Sequence, residues 1–211
     1  MNVWKIIGSL AKKIFNPVTM PTIKKLPVLS GQYYHEKQTK THIFLHHTAG
    51  GSAASSVAHW NSKPDHIATA YIIDRDGTIY ETYPPEFWSY HLGAGSTSLE
   101  KASIGIEICN YGALSGGKTY TGKLIDPAKR VAVPFRGESE WEAYAPEQVE
   151  AVRQLLVYLM DRFNIPKQAE ISDFYQYRQK PGPGIWSHTT VRQDKIDIFP
   201  QPSLVEMVKA L

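Results

Sequence analysis

A single α/β domain, with a central mixed β-sheet flanked by helices, is the fold class the sequence predicts, on three observations. From Thr41 to Thr48 both alternating positions carry apolar side chains, as in a central strand covered on two sides. Ser103 to Asn110 alternates strictly, with Ile104, Ile106 and Ile108 on one face and Gly105, Glu107 and Cys109 on the other. From Pro146 onward Val149, Val152, Leu155, Leu156, Leu159, Met160 and Phe163 recur at three and four positions, the stripe of a helix that packs across a sheet.

The elements follow in chain order. Val3, Ile6, Ile7, Leu10 and Ile14 share one helical face while Lys5, Lys12 and Lys13 lie mostly elsewhere, and Asn16-Pro17 stops the helix. Residues 1–15 thus form a short basic amphipathic helix, suited either to packing on the domain or to weak docking on a membrane surface or a partner. Residues 17–40, with three prolines, read as an extended leader, so the expected division is 1–40 and 41–211. Gly50-Gly51-Ser52 ends the first strand, and Ala53 to Asn61 makes a short helix presenting Val57 and Trp60. Ala70 to Ile73 and Thr78 to Tyr80 flank Asp74-Arg75-Asp76-Gly77 as a hairpin. Residues 111–145 are a long glycine-bearing excursion with room for a small hairpin, and their role is not legible. Asn164 and Pro166 close the long helix, Ile185 to His188 reads as a strand end, and a last helix follows Pro202.

Composition narrows the function classes. A chain of 211 residues can bury one sizeable core. A net charge of +3, with scattered Lys and Arg, does not make a nucleic-acid footprint. Cys109 is the only cysteine, which excludes an internal disulfide framework. The first residues have neither an export signal's apolar core nor the length to span a bilayer, so a monomer that stays cytoplasmic until released is expected.

Two histidines, His46 and His47, close the first strand, and His188 is followed at some distance by Lys195-Ile196-Asp197. Two neutral imidazoles and a carboxylate give a borderline-soft dication three ligands and leave a fourth position for water. His46 would stand at the carboxyl end of its strand, where open α/β sheets bind ligands. Taken singly, each residue has a plainer reading: a strand-end histidine is more often structural, and Lys195 with Asp197 could be an exposed ion pair of little consequence.

Four runs change that balance. IFLHHTAGG, AYIIDRDGTIYE, SIGIEICNYG and SHTTVRQDKID occur in the order seen in zinc-dependent N-acetylmuramoyl-L-alanine amidases, the family of the phage lysozyme-type amidases and the peptidoglycan recognition proteins, which the chain resembles over about residues 41–200. The resemblance implies that fold, one Zn2+ per chain on His46, His188 and Asp197, Glu107 as general base, Lys195 as the stabiliser of the oxyanion, and peptidoglycan as partner. His47 is left on the other strand face as a core or orienting group. The loop Trp88-Ser89-Tyr90-His91-Leu92-Gly93 resembles the family's groove border, so Trp88 and His91 are expected substrate contacts, with structural packing the equal alternative for His91; Asn110 is a third expected contact. The terminal loop departs from the family's pattern: it is one residue shorter and lacks a Pro-Gly turn, which leaves Asp194 as a competing carboxylate. A tyrosine that supplies a hydroxyl in lysozyme-type members is replaced near Thr69 or Ala70. The implied activity is cleavage of the bond between N-acetylmuramic acid and L-alanine by an endolysin or other wall-lytic enzyme. A non-catalytic wall-recognition module and a secreted antibacterial effector are the alternatives.

Overall fold

Seven short strands form one mixed sheet: β1 (Ile23–Lys25), β2 (His42–His47), β3 (Tyr71–Ile73), β4 (Ile79–Glu81), β5 (Ser103–Ile108), β8 (Ala169–Glu170) and β9 (Gly184–Ser187), in the order β1-β4-β3-β5-β2-β9-β8. Strands β6 (Arg130–Phe135) and β7 (Glu138–Glu142) make a separate hairpin, and the helices are α1 (Ala53–Asn61), α2 (Thr97–Ala102), α3 (Pro146–Phe163), α4 (His188–Val191) and α5 (Pro202–Lys209). The computed structural model describes residues 18–171 and 181–211, so the amphipathic helix expected over residues 1–15 lies outside the described residues. No helix among the described residues is long and apolar enough to cross a membrane.

Only the β3–β4 hairpin is antiparallel within the large sheet; the other neighbours run parallel. The parallel register decides what each face carries. Ile43, Leu45 and His47 of β2 lie beside Ile104, Ile106 and Ile108 of β5, while His42, Phe44 and His46 lie beside Ser103, Gly105 and Glu107. Because side chains alternate, the first set faces one side of the sheet and the second set the other.

The isoleucine face packs into the main core with Val152, Leu155, Leu156 and Leu159 of α3, all fully buried. Burial of each such side chain is worth about 1.5–3 kcal/mol. Gln148 locks the helix start, accepting from Ala145 N at 3.1 Å and donating to Cys109 O at 2.9 Å. Asn164 ends the helix in the left-handed conformation, φ 52°. The opposite face carries a smaller cluster of Phe44, Leu92, Ala94, Leu99, Trp186 and Val191.

The boundary expected at Thr41 moves toward the amino terminus. Ile23–Lys25 adds the edge strand beside β4, Tyr34 stacks on Trp88 with ring centroids 4.0 Å apart, and Lys40 is buried. A three-residue edge strand is too short to display a period, so its sequence reads as leader. The excursion holds the β6–β7 hairpin, and the expected helices at 53–61 and 146–163 form over those residues.

Candidate metal centre

His46 is the fifth residue of β2 and sits opposite Glu107 of β5. His188 follows β9, two residues beyond Trp186, which pairs with Phe44 on the same face. Strand parity therefore aims both imidazoles to one side, at the carboxyl ends of adjacent parallel strands. Asp197 comes from the loop beyond α4. Its Oδ2 lies 3.1 Å from His46 Nδ1 and 2.9 Å from His188 Nδ1, and the two Nδ1 atoms are 3.0 Å apart. Among the described residues this is the one His/Asp cluster whose ligand atoms converge closely enough to hold a metal ion.

The outer hydrogen bonds decide where the imidazole protons are. His188 Nε2 is 2.7 Å from the carbonyl of Leu92, which can only accept, so its proton is on Nε2. The carbonyl of Glu100 accepts from Ser103 Oγ at 3.0 Å; Ser103 Oγ in turn accepts from His91 Nε2 at 2.8 Å. His91 Nδ1 is then an acceptor, filled by His46 Nε2 at 3.0 Å. Both Nδ1 atoms consequently point lone pairs at Asp197 and at each other. With both rings neutral, three donor atoms 2.9–3.1 Å apart leave a gap that a cation, or a proton on one Nδ1, would fill. Tetrahedral bonds of about 2.0–2.1 Å to nitrogen and oxygen would space such donors about 3.3 Å apart, close to the observed triangle.

Charge preferences agree with that geometry. Burial, followed by the neighbouring His188, pushes His46 down to about 4, and burial holds His91 well below its ordinary range. Burial alone would raise Asp197, but the His188 charge and hydrogen bonds from His188 and His46 outweigh it and keep the carboxylate ionised far below the usual range in the metal-free chain, a role that a bound cation would take over. Burial and the Asp197 charge push Glu107 up, and its Oε2 is buried without a hydrogen-bond partner. An orphaned carboxylate oxygen beside three convergent ligands is what a site built for a metal and a reacting water leaves behind.

These groups line a groove of about 520 Å³ that also takes in Lys195, Tyr111 and Tyr120. A second groove of about 660 Å³, over Gly50, Ser52, Ser56 and Trp60, meets it at Glu107, Tyr111 and Tyr120. Asp194, the competing carboxylate, lines the same groove but is not part of the triangle: it is exposed and paired with Arg192, whose Nε lies 2.8 Å from its Oδ1. His47 faces the other side, 3.0 Å from the Tyr144 hydroxyl.

Of the three expected substrate contacts, Trp88 and Asn110 are buried away from the groove, while His91 lines it with its ring engaged in hydrogen bonds. Trp88 is buried, stacked on Tyr34 and bonded through Nε1 to Glu36 at 3.3 Å. Asn110 is buried too; it donates to Glu142 O at 2.9 Å and accepts from Gly112 N at 2.7 Å, which shapes the strand exit. His91 has only 3 % of its side chain exposed and spends both ring nitrogens on His46 and Ser103. A tryptophan in a loop next to a groove reads as a contact in one dimension; burial turns it inward. Ser103 and Glu100 went unnoticed in the sequence. The Glu100 carboxylate accepts from the backbone N–H groups of His91, Leu92 and Gly93 and so fixes the His91 loop.

A parallel-edged sheet with a His-His-Asp triangle at its strand ends, and a half-buried glutamate and a lysine in the same groove, carries a donor set that could hold a metal ion beside a hydrolytic site. The family model for N-acetylmuramoyl-L-alanine amidase matches residues 36–202. The chain belongs to that family, and its activity is that of an N-acetylmuramoyl-L-alanine amidase acting on peptidoglycan. No curated protein matches the chain. Among solved structures, the catalytic domain of XlyA is similar at 19% identity and TM-score 0.57, covering 90% of this chain and 98% of that one. The endolysin N-acetylmuramoyl-L-alanine amidase LysCS from Clostridium intestinale URNW is similar at 17% and 0.53, covering 92% and 97%. Staphylococcus aureus hydrolase AmiA, solved with its ligand, is similar at 13% and 0.57, covering 90% and 82%. At these identities the likeness is one of fold.

Proposed function

We propose that the chain is a zinc-dependent wall-lytic amidase, of endolysin type, that hydrolyses the amide between the lactyl group of N-acetylmuramic acid and the L-alanine of the stem peptide. The observation that carries this reading is the triangle of three convergent donor atoms with the orphaned Glu107 oxygen in the same groove. His46, His188 and Asp197 would hold one zinc ion. When bound, zinc supplies a Lewis acid for the scissile carbonyl and makes water acidic enough to give hydroxide near neutral pH.

The remaining roles fall to side chains. Glu107 takes the proton of the attacking water and returns it to the leaving amine, a transfer typically worth about 10²–10⁴-fold. Lys195 offsets charge building on the carbonyl oxygen, worth a few kcal/mol for a well-placed donor. The Leu92 carbonyl and the His91–Ser103 pair hold the two imidazoles in the tautomer that presents Nδ1. Two grooves that meet at Glu107 give room for the sugar side and the peptide side of one amide.

In this reading the chain acts as a monomer and is cytoplasmic until release, with residues 1–15 available for weak docking on a membrane surface or a partner. The test is the release of new L-alanine amino termini from purified peptidoglycan, with and without a chelator, alongside metal analysis. Chelator-sensitive release with about one zinc per chain supports the reading. Wall binding without new amino termini replaces it with a recognition module. Glu107→Ala should abolish turnover and keep the metal.

A further inference from the structure

The hairpin of the 111–145 excursion is joined by Arg136-Gly137 alone, with Phe135 opposite Glu138. Both turn residues have positive φ, 48° and 88°. Asparagine-glycine or glycine-glycine fills such a two-residue turn best, and a long side chain at its first position carries a backbone cost. A residue kept in an unfavourable conformation points to work done by its side chain. The Arg136 guanidinium reaches the segment after His188 and donates to four carbonyls there. The two N–H groups of Nη1 are shared among Arg192 O at 2.8 Å, Gln193 O at 2.7 Å and Lys195 O; Nη2 serves Thr189 O at 2.9 Å.

Those carbonyls span the stretch that leads from one histidine of the triangle to Asp197. The stretch leaves α4 after Val191 and enters no strand before Asp197, so its backbone has no ladder to order it. Arginine alone offers five N–H donors in a rigid planar fork, which suits several carbonyls converging from one side. We propose that Arg136 is a positioning residue: it ties the His188–Asp197 loop to the β6–β7 hairpin and thereby sets Lys195 and Asp197 for the metal and the substrate. It stands in for the Pro-Gly turn that this short loop lacks, and it gives the excursion a function. The clamp rests on the amidase reading only for what the loop does once ordered.

Arg136→Asn tests this without sacrificing the hairpin, because asparagine tolerates the left-handed turn position. Arg136→Lys keeps the charge and loses the fork. Two readouts are compared with wild type: amide hydrogen exchange of residues 192–198 in the metal-free chain, and zinc affinity by competition with a chromophoric chelator. Arg136→Asn should exchange at least about tenfold faster in that segment, with the amides of α3 unchanged, and should bind zinc about 10–100-fold more weakly, with Arg136→Lys in between. Wild-type exchange and wild-type zinc affinity in Arg136→Asn overturn the proposal. Faster exchange shared equally by α3 is a global loss of stability and overturns it as well. If the wild-type chain itself binds no zinc, the amidase reading fails, while the exchange comparison still decides the clamp.

Discussion

His46 Nε2 lies 3.0 Å from His91 Nδ1, an imidazole-to-imidazole hydrogen bond with 2 % and 3 % of the two side chains exposed. It makes His91 the group that dictates which nitrogen His46 turns toward Asp197. The chain of donors ends at a backbone carbonyl, so the direction of every proton along it is fixed. Removing a link should therefore act on the metal before it acts on the substrate.

His91→Ala should weaken zinc binding about 10–100-fold while the substrate KM of the zinc-saturated protein changes little. Ser103→Ala should act in the same direction and less strongly. Chelator competition and kinetics at saturating zinc separate the two effects. A raised KM with unaltered zinc affinity would make His91 a substrate contact rather than a positioning group.

Asp197→Ala should lose both metal and turnover, whereas Asp194→Ala should keep both. The first carboxylate closes the triangle, and the second is exposed and engaged with Arg192. Metal analysis of the two variants checks the assignment; the reverse order moves the third ligand.

Gly105→Ala should destabilise the site from below. An added Cβ would lie 2.7 Å from Thr69 Cγ2 and 3.0 Å from His91 Nδ1. Thr69 is buried and cannot swing away, so His91 must yield its place beside His46. Overpacking of this kind costs about 1–3 kcal/mol. Thermal unfolding with and without zinc should show a lower Tm and a smaller zinc-induced rise; an unchanged rise would mean that His91 stays in place.

Lys40 provides a pH signature outside the His-His-Asp triangle. It is buried, donates to Lys101 O at 2.7 Å and Ser103 O at 3.0 Å, and is pulled by burial from its ordinary 10.5 to about 7. With the folded value depressed, the unfolded chain holds the extra proton between those values. Stability therefore rises with pH across that window, and the burial penalty is present in full below it. Denaturant titrations of wild type and Lys40→Met from pH 6 to 10 should show this slope only in wild type. Parallel curves would mean that the ammonium is not buried in the charged form.

Much of the chain was legible because the informative elements are long or strictly patterned. The isoleucine alternation of β5 and the helical stripe of α3 report burial directly. The His46, Glu107, His188, Lys195 and Asp197 set came from four motifs whose order matches a known family, and the fold brings these residues to one groove. What stayed hidden has a common physical character. The β1 edge strand is three residues long and shows no period. Ser103, Glu100 and Arg136 act through hydrogen bonds to groups in other segments of the chain, and no local spacing announces such bonds. Trp88 and Asn110 were misread for the opposite reason: their neighbours in sequence suggested a surface that packing removes.

The pairing of His46 with Glu107 across β2 and β5 has a broader consequence. The proposed metal ligand and the proposed base on neighbouring strands are separated by a lattice constant of the sheet, about 4.8 Å between strands, which backbone hydrogen bonds defend against mutation and breathing. Asp197 and Lys195 ride instead on a loop whose order is borrowed from another part of the chain. The centre is thus half rigid chassis and half replaceable fitting. A lineage could exchange the fitting to change turnover, or abandon it altogether, while the two strands keep their spacing.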